Sequence, residues 1–383
     1  MKRIAIAVDS FKGSLSSREV ADAFEQGFCS QIPECEVRKV SIADGGEGTV
    51  EALVETLSGE YIEVSVADPL GRSIVARYGI VDGGTTAVME MSAASGLPLI
   101  APEERNPLLT STYGTGQMIA DALDRGCRKF LVGIGGSATN DGGTGMLRAL
   151  GFRFLDSDGN ALEGGGEILE CIHTIDTSAI REDLAEAEFI VACDVTNPLY
   201  GPEGAAYVFA PQKGADPAMV ERLDNGLRVY ACAIEKFNGV KVDSIAGAGA
   251  AGGLGGGFKA LLGAHLVRGI DMVLDAMHFD QIIAGSDLVV TGEGRLDRQT
   301  MMGKAPYGVL CRATAQGIPT IAIGGAVLAC RELVESGFIA TMPIVAGPIS
   351  LEEAMQRDVA TENVRRTAMQ IAGLLTLKTQ NNE

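Results

Sequence analysis

The 383-residue chain has no tryptophan and only three histidines, and aromatic residues make up 5% of it. The histidines, at 173, 265 and 278, have no carboxylate or cysteine at metal-ligand spacing. That speaks against a histidine base and a histidine-bound metal, and leaves structural or surface roles. Basic residues are in deficit: 31 Lys and Arg face 50 Asp and Glu, for a net charge of −19. Such a chain lacks the basic surface that nucleic acid requires, and any site for an anionic substrate must be positive only locally. No apolar run reaches the ~18 residues of a membrane span. The short run Ile4–Val8 ends on Asp9, so it reads as a first strand rather than a signal peptide. The eight cysteines form no Cys-x-x-Cys pair and no zinc-like spacing, and several sit in apolar segments such as Val191-Ala192-Cys193. The expectation is buried, reduced thiols in a cytoplasmic protein.

Apolar residues make up 46% of the chain, enough for large cores, and the length favours two domains. The run from Phe130 to Met146 reads FLVGIGGSATNDGGTGM: an apolar strand, a loop of Gly, Ser, Thr, Asn and Asp, then a helical pattern. Glycines let a backbone approach an anion, and a helix start just beyond would add dipole and donors. The loop is not a P-loop. The nearest Gly-Lys, Gly303-Lys304, has Arg298 where the first glycine belongs and Ala305 in place of Ser or Thr. A structural glycine turn would not need Ser137, Thr139, Asn140 and Asp141. Gly247-Ala-Gly-Ala-Ala-Gly252 is a literal G-x-G-x-x-G, but Val240–Ile245 before it is a poor strand. A flexible glycine loop or helix start near phosphate is the better reading than a dinucleotide fingerprint.

Periodicity gives a βαβα opening: strand 4–8, a Ser16-x-x-Glu19 capping box before Val20, Phe24 and Phe28 at helical spacing, strand 36–42 and helix 49–57. Alternation then takes over in a meander with a turn at Asp68-Pro69-Leu70-Gly71. From Asp287 the opening pattern returns, with strands at 288–290, 320–323 and 342–345 and helices at 306–316 and 331–336. Five parallel strands assembled from both chain ends make a doubly wound unit. The expected domains are 1–59 plus 281–383, and an inserted mixed α/β domain over 60–280.

Acids recur at strand ends: Asp9, Asp44 and Glu47, Asp194, and Glu293 with Asp297. Ligands gather at the carboxyl ends of parallel strands, a Mg²⁺ needs only one or two carboxylates plus phosphates, and a hydroxyl nucleophile needs a carboxylate base. Any one such Asp could be a turn or helix cap. Basic residues Lys12, Lys213, Arg295 and Lys304 stand in or beside glycine loops, where they suit a carboxylate or phosphate.

Asp9-Ser-Phe-Lys-Gly-Ser14, Ala43-Asp-Gly-Gly-Glu-Gly-Thr49, Tyr113-Gly-Thr-Gly116, Gly133–Gly143, Cys193-Asp-Val-Thr-Asn-Pro-Leu199, Gly247–Gly253 and Thr291-Gly-Glu-Gly-Arg295 resemble, in order, the signatures of the bacterial glycerate kinase type-1 family. Val8 and Ala246 stand where relatives often carry Pro, which touches loop rigidity alone. The resemblance implies a flavodoxin-like doubly wound parallel-sheet domain with an inserted second α/β domain. It also implies ATP- and Mg²⁺-dependent phosphorylation of glycerate in an interdomain cleft, with 2-phosphoglycerate favoured over the 3-isomer. On that basis Gly135, Gly136, Ser137, Thr139 and Asn140 are assigned to the nucleotide phosphates, with Gly249 and Gly252 nearby. Lys12, Ser14 and Arg295 would hold the glycerate carboxylate or the transferring phosphoryl. Asp194 would be the base, Glu293 and Asp297 the Mg²⁺ ligands, directly or through water, and Asp44 and Glu47 would line the substrate site. The sequence admits a homodimer and gives no sign of a nucleic-acid or membrane partner. Rival readings are a kinase for another hydroxy acid or sugar acid, a nicotinamide-dependent oxidoreductase, and a non-enzymatic phospho-ligand binder.

Overall fold

The structure, a computed structural model, describes residues 3–376. Its strands are β1 (Arg3–Val8), β2 (Glu36–Ser41), β3 (Glu60–Ala67), β4 (Ser73–Val81), β5 (Thr86–Glu90), β6 (Lys129–Gly133), β7 (Arg153–Leu155), β8 (Thr174–Asp176), β9 (Glu188–Ala192), β10 (His265–Val267), β11 (Leu288–Leu296), β12 (Thr320–Val327) and β13 (Ala340–Pro343). The chain divides into two compact units. One joins the segment up to Asp44 to the segment from Val273 onward, and the other is Gly45–Met272.

The first unit is a five-stranded parallel sheet in the order β13-β12-β11-β1-β2. Numbered within the unit this is 2-1-3-4-5, the flavodoxin-like order. The run Ile4–Val8 is wholly buried because a parallel strand is covered on both faces. The helix Ser17–Cys29 begins on the capping box, with the Ser16 hydroxyl accepting from the Glu19 amide and the Ser16 amide donating to the Glu19 carboxylate. Its Val20, Phe24 and Phe28 join Ile4, Ile6 and Val8 in a core completed by Val364, Ala368 and Ile371 of the helix Arg357–Thr376. Each of these Val, Ile and Phe side chains contributes about 1.5–3 kcal/mol by leaving water. The periodicity reading ends on the strand near 342–345, and the structure continues into this last helix. β11 is longer than the apolar triplet Leu288–Val290, because Glu293 and Arg295 continue the ladder to β12 opposite Gly324 and Ala326.

The second unit carries a six-stranded sheet in the order β10-β9-β6-β5-β4-β3. The strands β5, β6, β9 and β10 are parallel, and the meander β3-β4-β5 is antiparallel. The turn at 68–71 closes with the Gly71 amide on the Asp68 carbonyl at 3.0 Å. The helix Thr49–Thr56 packs on β4 and β5, and its first amides donate to the half-buried Glu90 carboxylate. All eight cysteines are free thiols, as expected, but only Cys35 and Cys127 are buried, and Cys171, Cys232, Cys311 and Cys330 are exposed on helices or turns. Among the described residues no helix is long and apolar enough to cross a membrane.

Candidate active site

In the first unit, strand order reverses at β1, with β2 on one side and β11 on the other, and ligands bind doubly wound sheets at such a point. The chain leaves β1 there at Asp9, whose amide donates to the Gly292 carbonyl at 2.9 Å. A tight turn follows, with Phe11 and Leu15 exchanging backbone hydrogen bonds of 2.8 and 3.1 Å. The turn leaves Lys12 exposed and buries the Ser14 hydroxyl without a hydrogen-bond partner among the described residues. A cavity of about 530 Å³ opens here. Asp9, Lys12, Ser14, Asp44, Glu293, Arg295 and Lys304 line its polar side, and Leu328, Ile344, Leu351 and Met355 its apolar side.

Asp9 is the most perturbed acid of this cavity. Its side chain accepts from the Ser10 amide at 2.6 Å, and the residue is only 6% exposed. Burial, reinforced by the neighbouring Asp44 and more weakly by Glu293, pushes its carboxyl up to about 7, against the opposing pull of the Ser10 amide and Lys12. Burial likewise raises Glu293, while the Thr300 hydroxyl donates to Oε1 at 2.6 Å and Lys304 Nζ stands 3.4 Å from Oε2. Asp297 lies outside this cavity. It pairs with Arg295 at 3.0 Å and accepts from the Gln299 amide at 2.8 Å, and the two line an adjoining shallow pocket. No group of three or more His, Cys, Asp or Glu side chains close enough to hold a metal occurs among the described residues.

In the second unit, the loop after β6 and the segment after β9 leave the sheet side by side, because Gly133 is in register with Ala192. The loop presents Gly135 and Gly136 to solvent, with the backbone of Gly45 and Gly46 against Gly133 and Gly135. Ser137 is at the boundary of burial, and Thr139, Asn140 and Asp141 are fully buried. The helix start beyond does not supply free donors as the sequence suggested. The helix is only Thr144–Ala149, and the Asp141 carboxylate already accepts from the amides of Gly143 at 3.1 Å and Gly145 at 3.2 Å. Asp141 also accepts from the Thr112 amide and hydroxyl, each at 2.8 Å. The Thr139 hydroxyl and both polar atoms of the Asn140 amide are buried without partners among the described residues.

Lys213, 1% exposed, reaches this loop from the turn Pro211–Lys213. Its ammonium donates to Ser137 Oγ at 2.7 Å and to the Thr139 carbonyl at 2.6 Å. Burial pulls it down to about 7, with Asp141 opposing. Gly252 packs against the loop's inner side, its carbonyl accepting from the Gly142 amide at 3.0 Å. Gly249 donates to the Asn197 carbonyl at 3.0 Å. The G-x-G-x-x-G run follows the turn Val242–Ser244 rather than a strand, so the strand–turn–helix context of a dinucleotide site is missing. Asp194 is exposed just past β9, accepting from the Gly269 amide at 3.0 Å, and Glu47 is exposed in the loop before the helix Thr49–Thr56.

The structure therefore gathers Lys12, Ser14, Asp44, Glu293 and Arg295 in one cavity, and Gly135, Gly136, Glu47 and Asp194 in exposed segments of the second unit. The role assignment read from sequence omits Asp9, Lys304 and Lys213. Each was visible as a charged residue next to glycine or at a strand end, but only folding shows what each one faces.

A family model described as the glycerate kinase family matches residues 4–376. A glycerate kinase of Bacillus subtilis is 47% identical over 376 residues, covering 98% of each chain. The glycerate 2-kinase of Escherichia coli K12 is 43% identical over 380 residues, covering 99% of each. A crystal structure from Salmonella typhimurium LT2, assigned as glycerate kinase 2, superposes with a TM-score of 0.91 at 46% identity over 99% of both chains. With the switch-point cavity and the glycine loop carried on this fold, and the match running along nearly the whole chain, the protein belongs to the glycerate kinase family.

Proposed function

We propose that this chain transfers the γ-phosphoryl group of ATP to a hydroxyl of D-glycerate, with Mg²⁺, releasing ADP and 2-phosphoglycerate. The observation that carries the reading is the switch-point cavity, where Asp9, Asp44 and Glu293 stand with Lys12, Arg295 and Lys304 in a member of the glycerate kinase family. Phosphoryl transfer needs little covalent chemistry from the protein, so catalysis rests on positioning and on charges placed around the transferring group. Lys12, Ser14 and Arg295 hold the substrate carboxylate or the transferring phosphoryl, and Asp44 and Glu47 complete the substrate contacts. Gly135, Gly136, Ser137, Thr139 and Asn140 form the nucleotide-phosphate loop, backed by Gly249 and Gly252. The name glycerate 2-kinase borne by the Escherichia coli relative supports attack by O2. The chemistry belongs to the cytoplasm, where ATP is available.

The carboxylates fit Mg²⁺. Their oxygens are hard donors, and Asp9, raised first by burial, is raised further by Asp44 and Glu293, a repulsion that a divalent cation would relieve. One or two carboxylates would suffice beside phosphate oxygens and water, and Glu293 and Asp297 are the residues that would hold the ion, directly or through water. When bound, the ion neutralises charge developing on the phosphates.

Asp194 is the assigned base for the substrate hydroxyl. Asp194→Asn should cut kcat by more than tenfold in a protein with an unchanged melting temperature, and near-normal turnover removes Asp194 from the mechanism. One observation favours a second reading, in which Asp9 takes the proton: its carboxyl sits near neutrality, where a general base works best. The activity itself is tested by ³¹P NMR of the product formed from D-glycerate and MgATP. A 2-phosphoglycerate resonance is expected. A 3-phosphoglycerate resonance overturns the regiochemistry, and no phosphoglycerate overturns the substrate. A coupled ADP-release screen over other hydroxy acids and sugar acids then identifies the alternative acceptor.

A further inference from the structure

We propose that Lys213 is a positioning residue of the nucleotide-phosphate loop: it turns the Ser137 hydroxyl into an outward donor and supplies the positive charge behind it. This rests on the reading that the loop Gly135–Asn140 takes the phosphates of ATP. The Ser137 oxygen is occupied as an acceptor by the lysine ammonium at 2.7 Å, so the hydroxyl's own hydrogen is left to donate elsewhere. Ser137 sits at the edge of burial beside the exposed Gly135 and Gly136, whose amides have no acceptor among the described residues. An anion laid on that edge would meet two backbone donors and one hydroxyl donor.

Lys213 makes no ion pair among the described residues. Asp141, the acid nearest in influence, has its carboxylate engaged by the Thr112 amide and hydroxyl and by the amides of Gly143 and Gly145. A buried cation is costly unless compensated, and a neutral donor would serve Ser137 and the Thr139 carbonyl at lower cost. A phosphate on the exposed edge supplies the missing counter-charge, acting through a short, weakly screened path.

The test compares Lys213→Met, Ser137→Ala and the double variant by steady-state kinetics, and by calorimetric titration with ATP. Lys213→Met should raise the KM and Kd for ATP by tenfold or more while leaving the KM for glycerate within twofold. Ser137→Ala should raise the ATP constants at least threefold. The double variant should be no worse than Lys213→Met, since both changes remove one coupled element. A change that raises both substrates' KM values equally overturns the role, because a merely structural lysine would do that. Unaltered ATP affinity in both single variants overturns it too. If Lys213→Met does not fold, Ser137→Ala carries the test alone, and unchanged ATP constants in that variant overturn the proposal. A wild-type chain that binds no ATP overturns the underlying loop reading, and the role of Lys213 with it.

Discussion

Asp9→Asn is expected to stabilise the protein at pH 8 while removing most of its activity. The Asp9 carboxyl is raised from an ordinary 3.8 to about 7, first by burial and then by Asp44. Between about pH 4 and about pH 7 the folded state therefore holds a proton that the unfolded chain has released, so stability falls as pH rises through that window. Above it the full cost of ionising Asp9 in place is present. A shift of about three units corresponds to roughly 4 kcal/mol at about 1.36 kcal/mol per unit. Asn keeps the size and the acceptor for the Ser10 amide, and it carries no charge toward Asp44 or Glu293. A gain of about 2–4 kcal/mol at pH 8, seen as a rise in Tm of at least ~4 °C, is the expected result. The gain should shrink steadily toward pH 4 and vanish below about pH 3, where the wild-type carboxyl is protonated in both states. A variant no more stable than wild type at pH 8 would contradict the burial and repulsion argued for Asp9. Turnover should fall by about 10²-fold or more, the usual contribution of a positioned acid or base. On the reading in which Asp9 takes the proton, kcat/KM of the wild type should climb with pH through about 7, and a flat profile there leaves Asp194 as the base. Proteins commonly hold strained or repelling groups at their working sites at the expense of stability.

The second large effect is structural. Gly252→Ala should lower Tm by at least ~6 °C or abolish soluble expression. Gly252 has φ of +70°, and a Cβ there would stand 2.1 Å from the Thr139 carbonyl oxygen and 2.6 Å from Asn140 Cα. Both obstacles are backbone of the buried loop, so neither can swing aside. The left-handed conformation alone costs an alanine about 1–2 kcal/mol, and forcing the two glycine segments apart brings the total above ~3 kcal/mol. Gly263→Ala is the matched control. Its φ is +68° and a Cβ there meets nothing within 4 Å, so only the conformational part, about 1–2 kcal/mol, should appear. Equal melting temperatures for the two variants would refute the packing account of Gly252. The same comparison explains the G-x-G-x-x-G run at 247–252: its last glycine is needed for contact with protein backbone.

Much of the architecture was legible before folding, because it follows from local pattern. The wholly apolar Ile4–Val8 could only be a doubly covered strand, and the Ser16–Glu19 box could only start a helix. The recurrence of strand and helix at both chain ends led to one five-stranded parallel sheet. The long reach of β11 was not legible, since Glu293 and Arg295 look like loop residues until their pairing with β12 is seen. The C-terminal helix Arg357–Thr376 was missed for a related reason: its apolar positions are spread thinly among charges and gain their meaning from the helix Ser17–Cys29 against which they pack.

The sites divide in the same way. Residue type and spacing by themselves determined the family resemblance, the acids at strand ends and the basic residues beside glycines, since chemistry of that kind is written in short contiguous motifs. Tertiary structure alone decided which of those groups are perturbed. Asp9 is raised first by its burial and then because β1, β2 and β11 bring Asp44 and Glu293 to it from distant parts of the chain. Within Ser137–Asn140, Ser137 sits at the edge of burial while Ala138, Thr139 and Asn140 are sealed inside. Lys213 meets Ser137 across 76 residues of sequence. Burial and electric field are sums over the whole fold, so the sequence could name the charged and polar groups while only the packing fixed how strongly each holds its proton and which way it points.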